Sequence, residues 1–419
     1  CAVDLRDGNQ ALVEPMSVAR KTALFRQLVA IGFKQIEVGF PAASEEDFNF
    51  VRQLIEQDMV PDDVTLQVLT PAREALIARS FEALRGARQA IVHLYNSTSS
   101  VQRQRVFMQD PQGIIDIAVT GARAVAAHAE QQPQTRWQFQ YSPESFTGTE
   151  LDFAVQICNA VNDVWQPSVE HPVIINLPAT VELSTPNVYA DQVEWFCNHI
   201  KHREALVISL HTHNDRGCAV AAAELGLMAG ADRLEGTLLG NGERTGNMDI
   251  VTCAMNLYSQ GIDPGLDLSR MDELVRCVEA CTGIAVHPRH PWAGELVFTA
   301  FSGSHQDAIR KCLAQQRPDQ AWDVAYLPID PADVGRSYQE LIRINSQSGK
   351  GGIAWVLEQD KGLQVPRWLQ IEFSTAVQQH AEQTRSEISP AQLWQLFQQH
   401  YLTQKGPWHL EGYRAQRQG

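Results

Sequence analysis

Short hydrophobic runs alternate with longer segments of helical periodicity from the start of the sequence to about residue 260. This alternation is typical of an α/β protein with a parallel sheet whose strands are joined by helical crossovers. Eight short runs can be counted, at residues 2–7, 33–40, 64–70, 89–96, 136–142, 173–178, 206–213 and 232–239. Eight βα units predict a closed (β/α)8 barrel, a TIM barrel, which we expect to span residues 1–292.

The segments between these runs carry helix boundaries of their own. Ser17 precedes apolar residues at helical spacing and Gly32 follows them, which predicts a helix capped by Ser17 and ended near Gly32. Ser44, with Asp47 three residues later, predicts the start of the next helix in the same way.

Polar residues stand at the ends of many of the predicted strands. In TIM barrels the carboxyl ends of the strands form the active-site face. We therefore expect the functional residues in the segments LRDGNQ, VHLYNS, QYSPES, LPAT, SLHTHND and GNGERTGN.

After about residue 290 the alternation stops and the pattern becomes helical. A glycine- and serine-rich stretch, NSQSGKGG at 345–352, interrupts this part and indicates a hinge. We expect a helical linker subdomain at 293–350 and a second helical subdomain at 351–419. A phosphate-binding P-loop is excluded, because Gly351 stands where that motif has Ser or Thr and its earlier glycine is missing.

Composition narrows the class of protein. The formal net charge of -15 argues against nucleic acid or an anionic membrane as the main partner, because phosphate binding needs a basic surface. The 8 cysteines include no CxxC pair, which favours reduced thiols over a disulfide framework. No stretch reaches the roughly 18 apolar residues of a membrane span. These features predict a cytoplasmic enzyme.

The sequence suggests a metal site. His211 and His213 form an HxH pair at the end of the seventh predicted strand, where period two places both imidazoles on one side. Asp7, at the end of the first predicted strand, is the third candidate ligand because barrel closure brings the two strands near a common centre. Two imidazoles and one carboxylate leave coordination positions open for a substrate. The alternative is a pair of hydrogen-bonded strand-end histidines.

Arg6, beside Asp7, is expected to direct its guanidinium into the barrel mouth, where it would stabilise an oxyanion. A buried arginine needs an anionic partner, so a salt bridge with Glu37 is the structural alternative. The two roles are compatible.

Four other polar residues lie near the predicted site, and two of them, Glu144 and Asn247, have both a functional and a structural interpretation. Glu144 is either a proton relay or substrate contact, or a solvated loop carboxylate. Thr180 offers a hydroxyl near the same centre, whereas Asn176 fits an ordinary strand residue. Asn247 either faces the metal or caps a helix that starts at Met248.

A series of motifs occurs in order along the chain, namely DLRDGNQ, IEVGFP, HLYNS, YSPESFTGTE, NLPATVE, SLHTHNDRG, GNGERTGN, AFSGSHQDAI and RINSQSGKGG. With them the chain resembles the long-chain 2-isopropylmalate synthases, of the DRE-TIM group of metal-dependent lyases and synthases, densely over about 1–360 and loosely to about 405. The resemblance implies a Claisen-type condensation of acetyl-CoA with 2-oxoisovalerate, then thioester hydrolysis to 2-isopropylmalate and CoA, in leucine biosynthesis.

The resemblance also implies roles for single residues. The divalent metal, Mg²⁺, Mn²⁺ or Zn²⁺ with K⁺ as a candidate activator, would be bound by Asp7, His211, His213 and Asn247. Catalytic roles would fall to Arg6, Glu144, His305 and Tyr338. Substrate contacts would come from His93, Tyr95, Ser142, Thr180 and Gln10. His305 would be a base supplied by the partner protomer of a homodimer, with Tyr338 beside it.

The long form of this family ends in a domain that binds leucine, whereas this sequence stops at Gly419 soon after the second helical part. We therefore expect the leucine-regulatory domain to be absent and the polypeptide to be insensitive to leucine.

Other interpretations share parts of the pattern. Homocitrate and citramalate synthases have the same metal triad and differ mainly in the oxoacid pocket. A 3-hydroxy-3-methylglutaryl-CoA lyase is disfavoured by chain length, and a non-haem iron oxygenase by the βα repeats. A non-catalytic fragment that binds only a metal or a partner would release no CoA with any oxoacid.

Overall fold

A computed structural model of the chain describes residues 1–338 and 342–403. The chain divides into two compact units, Cys1–Gly294 and Glu295–Gly419. The expected division into three parts, with a boundary at 350, stays a prediction.

The first unit is built on a parallel sheet of seven strands that are hydrogen-bonded in chain order. The strands are β1 (Gln35–Gly39), β2 (Thr65–Pro71), β3 (Gln89–Ser97), β4 (Arg136–Glu144), β5 (Val173–Ala179), β6 (Leu206–Thr212) and β7 (Arg233–Glu235). Most of their residues are buried, as expected for strands covered on both faces.

Ala2 joins the two edges of this sheet. It forms parallel bridges to Ile36 on β1 and to Gly236 just after β7. The Val3 amide donates to the Gly236 carbonyl at 2.9 Å, and the Glu37 amide donates to the Ala2 carbonyl at 2.8 Å. The barrel prediction is confirmed.

The first strand was predicted at 2–7. Ala2 and Val3 bond to the sheet, but the prediction is wrong for the residues after them. Asp4–Gly8 forms a π-helical turn in which the Gly8 amide donates to the Val3 carbonyl at 3.2 Å. The turn leaves the sheet and carries Arg6 and Asp7 at its end, so these residues do not lie on a strand. The last predicted strand is also shorter than expected, since Leu238–Gly240 is a 3₁₀ turn.

Helices connect the strands. They are α1 (Val18–Ala30), α2 (Glu45–Glu56), α3 (Glu74–Ala83), α4 (Ser100–Gln102), α5 (Pro111–Glu130), α6 (Leu151–Trp165), α7 (Pro186–His199), α8 (Ala219–Met228), α9 (Ile250–Ser259) and α10 (Met271–Thr282). The predicted caps of α1 and α2 are confirmed, because the Ser17 and Ser44 side chains accept the amides of Arg20 and Asp47.

The second unit is helical where it is described, with α11 (Gly303–Leu313), α12 (Lys350–Lys361), α13 (Arg367–Thr384) and α14 (Pro390–Phe397). The segment 345–352 contains both buried and exposed residues, and its role as a hinge stays a prediction. Ser348 is buried, with its hydroxyl 3.1 Å from the carbonyl oxygens of Phe301 and Arg343.

Within the two described ranges, no helix is both long and apolar enough to cross a membrane.

Candidate active site

A cavity of about 260 Å³ lies where the strand ends of the first unit converge. It brings together most of the site residues expected in this unit. Its lining consists of Arg6, Asp7, Gln10, Phe40, Leu69, His93, Tyr95, Ser142, Glu144, Asn176, Pro178, Thr180, His211, His213, Glu243 and Arg244. Residues from distant parts of the sequence meet here because the carboxyl ends of all strands point to one face.

Three buried side chains in this cavity form a cluster with the composition of a metal site. One ligand atom from each of Asp7, His211 and His213 lies within 4.8 Å of the others. The His211 Nε2 is 3.3 Å from the His213 Nε2 and 3.5 Å from the Asp7 Oδ2. Two ring nitrogens and a carboxylate oxygen that converge on one point match the donor set of a divalent metal.

Asn247 lies against this cluster. Its Nδ2 donates to the Asp7 Oδ1 at 2.9 Å and to the Asn241 carbonyl at 3.1 Å. Its Oδ1 is buried and has no hydrogen-bond partner among the described residues. A cation bound beside the carboxylate and the two imidazoles would give this buried oxygen a partner. The residues present therefore fit a divalent metal ion.

Asn247 is not a helix cap, and that structural interpretation is wrong. The helix that follows, α9, begins at Ile250, and Asp249 caps it by accepting the Val251 amide at 3.0 Å. The Asp249 carboxylate suits this position, because it accepts an amide of the first turn and complements the helix dipole.

The protonation of Asp7 and His213 suits a metal ligand set. At His211, burial alone would lower the pKa, but the hydrogen bond with Glu235 and the charge of Asp7 outweigh it and raise that pKa. Burial alone would raise the pKa of Asp7, but the Arg6 guanidinium and the two imidazoles outweigh it and hold that pKa below its usual range. Burial, and then the neighbouring His211, lower the pKa of His213 to about 4. At neutral pH the cluster thus offers a carboxylate and an uncharged His213.

Glu235, on β7, fixes the orientation of His211. Its Oε2 lies 3.2 Å from the His211 Nδ1, so the Nδ1–H tautomer leaves Nε2 free to bind a metal. Its Oε1 accepts from Arg233 at 2.7 Å and from Gln140 at 2.8 Å. Glu235 was not predicted from the sequence, although an acidic residue within a buried strand is a signal for such a role.

A second polar chain runs from Arg6 into the barrel. Arg6 Nε donates to the Glu37 Oε1, and Arg6 Nη1 donates to the Asp7 Oδ2 at 2.7 Å. The Glu37 Oε2 is 2.8 Å from His93 Nδ1, and His93 Nε2 is 2.7 Å from the Ser142 hydroxyl. The expected salt bridge of Arg6 with Glu37 is present, and the guanidinium lines the cavity at the same time.

The remaining expected residues of this unit lie on the cavity wall. Burial and the charge of Glu144 raise the pKa of Tyr95. Glu144 accepts a hydrogen bond from Ser97, and the Thr180 hydroxyl accepts the Ser145 amide at 3.0 Å. Neither Glu144 nor Thr180 is free in solvent, so both are held in fixed positions beside the cavity.

His305 and Tyr338 lie in the second unit. The His305 ring stacks on Tyr326, with ring centroids 3.9 Å apart and planes at 26°. The Tyr338 hydroxyl donates to the carboxylate of Asp330, with both oxygens at 2.8 Å, and burial together with this carboxylate raises the pKa of Tyr338 to about 12. Tyr326 was not singled out from the sequence.

Comparison with protein families agrees with this geometry. The HMGL-like family matches residues 1–278, and the family described as "Alpha-isopropylmalate synthase, post-catalytic domain-like" matches residues 295–358. The first match covers the barrel with all its expected ligands, and the second contains His305 and Tyr338.

Several curated proteins are similar over nearly the full chain. A 2-isopropylmalate synthase from Ralstonia nicotianae is 60% identical over 406 residues, which cover 97% of this chain and 70% of the relative. Enzymes of the same name from Alcanivorax borkumensis and Rhodospirillum rubrum are each 61% identical, and the aligned parts cover 99% and 97% of this chain and 74% of each relative.

Solved structures support the fold. The HMG-CoA lyase from Brucella melitensis superposes with a TM-score of 0.54 at 18% identity, covering 68% of this chain and 98% of that one. The HMG-CoA lyase from Bacillus subtilis gives a TM-score of 0.54 at 17% identity, covering 68% and 93%.

Proposed function

This chain belongs to the 2-isopropylmalate synthases within the HMGL-like family, and from that premise we propose that the cluster of Asp7, His211 and His213 is its catalytic metal centre. The enzyme condenses acetyl-CoA with 2-oxoisovalerate and hydrolyses the thioester, giving 2-isopropylmalate and CoA in leucine biosynthesis. The observation that carries the proposed site is the convergence of the two Nε2 atoms and the Asp7 carboxylate in the cavity.

We propose that Asp7, His211, His213 and Asn247 bind Mg²⁺, Mn²⁺ or Zn²⁺, with K⁺ as an activator. When bound, such an ion supplies Lewis acidity for the carbonyl of the oxoacid. The orphan Oδ1 of Asn247 supports a fourth protein ligand. Glu235 positions His211 by contacting the His211 Nδ1, and Arg6 positions Asp7 by donating to its Oδ2.

Arg6 is proposed to stabilise the oxygen of the oxoacid as it becomes negatively charged. Its side chain is only 10% exposed, and two carboxylates, Glu37 and Asp7, hold it in place. A guanidinium whose orientation is fixed before reaction needs no reorganisation when charge develops beside it.

The oxoacid is proposed to occupy the rest of the cavity. His93, Ser142, Thr180, Tyr95 and Gln10 offer hydrogen-bonding groups, with Glu144 at the hydrophilic end. Phe40, Leu69 and Pro178 form an apolar part of the same wall, which suits the branched side chain of 2-oxoisovalerate.

Deprotonation of the acetyl group needs a base. We propose His305 for this role, assisted by Tyr338, with both residues supplied by the partner protomer of a homodimer. The fixed hydrogen bond of Tyr338 to Asp330 supports a defined position for its hydroxyl. We also propose a cytoplasmic location, which the free cysteines support.

Release of the CoA thiol tests the function directly. The protein is mixed with acetyl-CoA, Mg²⁺ or Mn²⁺ and, in separate reactions, 2-oxoisovalerate, pyruvate and 2-oxoglutarate. We expect rapid release with 2-oxoisovalerate and at least about tenfold slower release with the others, since a few apolar contacts discriminate by about that factor. Preference for pyruvate or 2-oxoglutarate would keep the chemistry and overturn the substrate.

A further inference from the structure

Two exposed rings stack on each other in the second unit. His305 lies in the first turn of α11 and is exposed, and Tyr326 keeps 60% of its surface in solvent. Their ring centroids are 3.9 Å apart with an interplanar angle of 26°. The pair therefore stands on the surface of the unit and is not part of its hydrophobic core.

The backbone of Tyr326 adopts a conformation that is unfavourable for its residue type. Its φ is +68°, in the left-handed region where bulky side chains are rare and glycine is common. It sits at the tip of a turn in which the Leu327 amide donates to the Val324 carbonyl at 3.1 Å. Val324 and Leu327 are both buried, which anchors the turn on either side of the exposed tyrosine.

Stability does not account for a tyrosine at this position. An exposed ring contributes little hydrophobic stabilisation, and a glycine would fit the turn without strain. The Tyr326 ring contacts the ring of His305. A strained residue that is held by buried neighbours and touches a candidate base points to a role in function.

We propose that Tyr326 is a positioning residue for His305. By stacking on one face of the imidazole, it restricts an exposed side chain that would otherwise sample several rotamers. A face-to-face contact leaves the ring edge, and with it the nitrogen that accepts a proton, unobstructed. This inference rests on the proposed role of His305 as the base.

Substitutions separate positioning from a structural role. Tyr326→Ala and Tyr326→Gly remove the ring and should lower kcat about three- to tenfold, the range that an aromatic pair contributes, with little change in KM for either substrate. Tyr326→Phe keeps the ring and should retain most of kcat. Because Tyr326→Gly relieves the left-handed strain, its Tm should be equal to or above that of the wild type.

The stacking has its own readout that does not depend on activity. In the full-length protein, the ring-proton resonances of His305, assigned by their loss in His305→Ala, should be shifted upfield by the Tyr326 ring. The shift should persist in Tyr326→Phe and vanish in Tyr326→Ala. Trp368→Ala, which removes a ring that is 65% exposed on α13, serves as the control and should change neither kcat nor these resonances.

A double-mutant cycle completes the test. In a His305→Ala background, Tyr326→Ala should cause no further loss of kcat, because the base that it positions is gone. A further loss of the same size, or wild-type kcat in Tyr326→Ala alone, would overturn the positioning role and leave the base assignment intact. Wild-type kcat in His305→Ala would overturn both, while the metal centre and the condensation would still stand on their own tests.

Discussion

At the residue scale, the residues that contact the Asp7 carboxylate determine its charge. The Asp7 carboxylate accepts from Arg6 on one oxygen and from Asn247 on the other, and it still lies within reach of His211. This arrangement keeps a buried carboxylate ionised, which burial alone would oppose. The sequence showed Asp7 and the two histidines as candidates, but not the donors that hold the carboxylate in its charged form.

Replacing Asp7 tests this arrangement. Asp7→Asn removes the charge of a proposed metal ligand at nearly constant size, so the affinity for Mn²⁺ should fall about 100-fold or more. Replacing a residue that only contacts a metal ligand costs about 10- to 100-fold in affinity. CoA release should fall with it. Titration calorimetry of Mn²⁺ into metal-free protein measures the affinity. Asp152→Asn, at an exposed position of α6, is the matched control, and equal Mn²⁺ affinity in both variants would remove Asp7 from the ligand set.

At the scale of elements, a buried ion pair ties the first two helices of the barrel to the sheet. Lys21 on α1 is 1% exposed and pairs with Asp47 on α2. The other oxygen of Asp47 accepts the Phe40 amide at 2.7 Å, directly after β1. The same loop places Phe40 in the wall of the cavity. Secondary-structure patterns predicted both helices, but a lysine on a helix is expected in solvent, so its burial was not foreseen.

Breaking this pair should cost more than breaking an exposed one. Lys21→Met leaves Asp47, whose side chain is only 14% exposed, without its cation and should lower the free energy of unfolding by about 3 kcal/mol. Lys34→Met, which removes an exposed lysine paired with Asp63, should cost under about 1 kcal/mol. Urea unfolding followed by circular dichroism measures both. Equal losses would show that burial of the Lys21 pair has no special weight.

At the scale of the whole molecule, closure of the barrel depends on the segment before Asp7. Asp4 lies in this segment, is almost fully buried, and accepts the Leu238 amide at 2.9 Å on one oxygen. Its other oxygen has no hydrogen-bond partner among the described residues. Burial, supported by the nearby charge of Asp249, raises the pKa of Asp4 to about 7.

This raised pKa predicts how global stability changes with pH. Between pH 3.8 and about 7 the folded protein keeps a proton on Asp4 that the unfolded chain releases, so stability falls as pH rises through this window. A shift of one pKa unit corresponds to about 1.4 kcal/mol, so the loss amounts to a few kcal/mol.

Asp4→Asn should flatten this dependence, because the amide oxygen still accepts the Leu238 amide but does not titrate. Urea unfolding of both proteins at pH 5, 6, 7 and 8 gives the two profiles. Parallel profiles would mean that Asp4 keeps an ordinary pKa in the folded protein.

The sequence by itself determined the alternation that makes a parallel barrel, the caps of α1 and α2, and the pairing of His211 with His213. Each of these depends on a local period or on neighbours a few residues apart, so the pattern is visible along the chain. The motifs also identified the family, because their order and spacing extend over most of the sequence.

Only the tertiary structure decided that Asp4–Gly8 leaves the sheet as a turn and that Asn247 donates to Asp7 instead of capping a helix. The same holds for the contact of Glu235 with His211 and for the stacking of Tyr326 on His305. These contacts join residues that are 21 to 240 positions apart, or they depend on burial that opposes the usual preference of the residue. Such contacts arise from the packing of the closed barrel and of the second unit, and no local period encodes them.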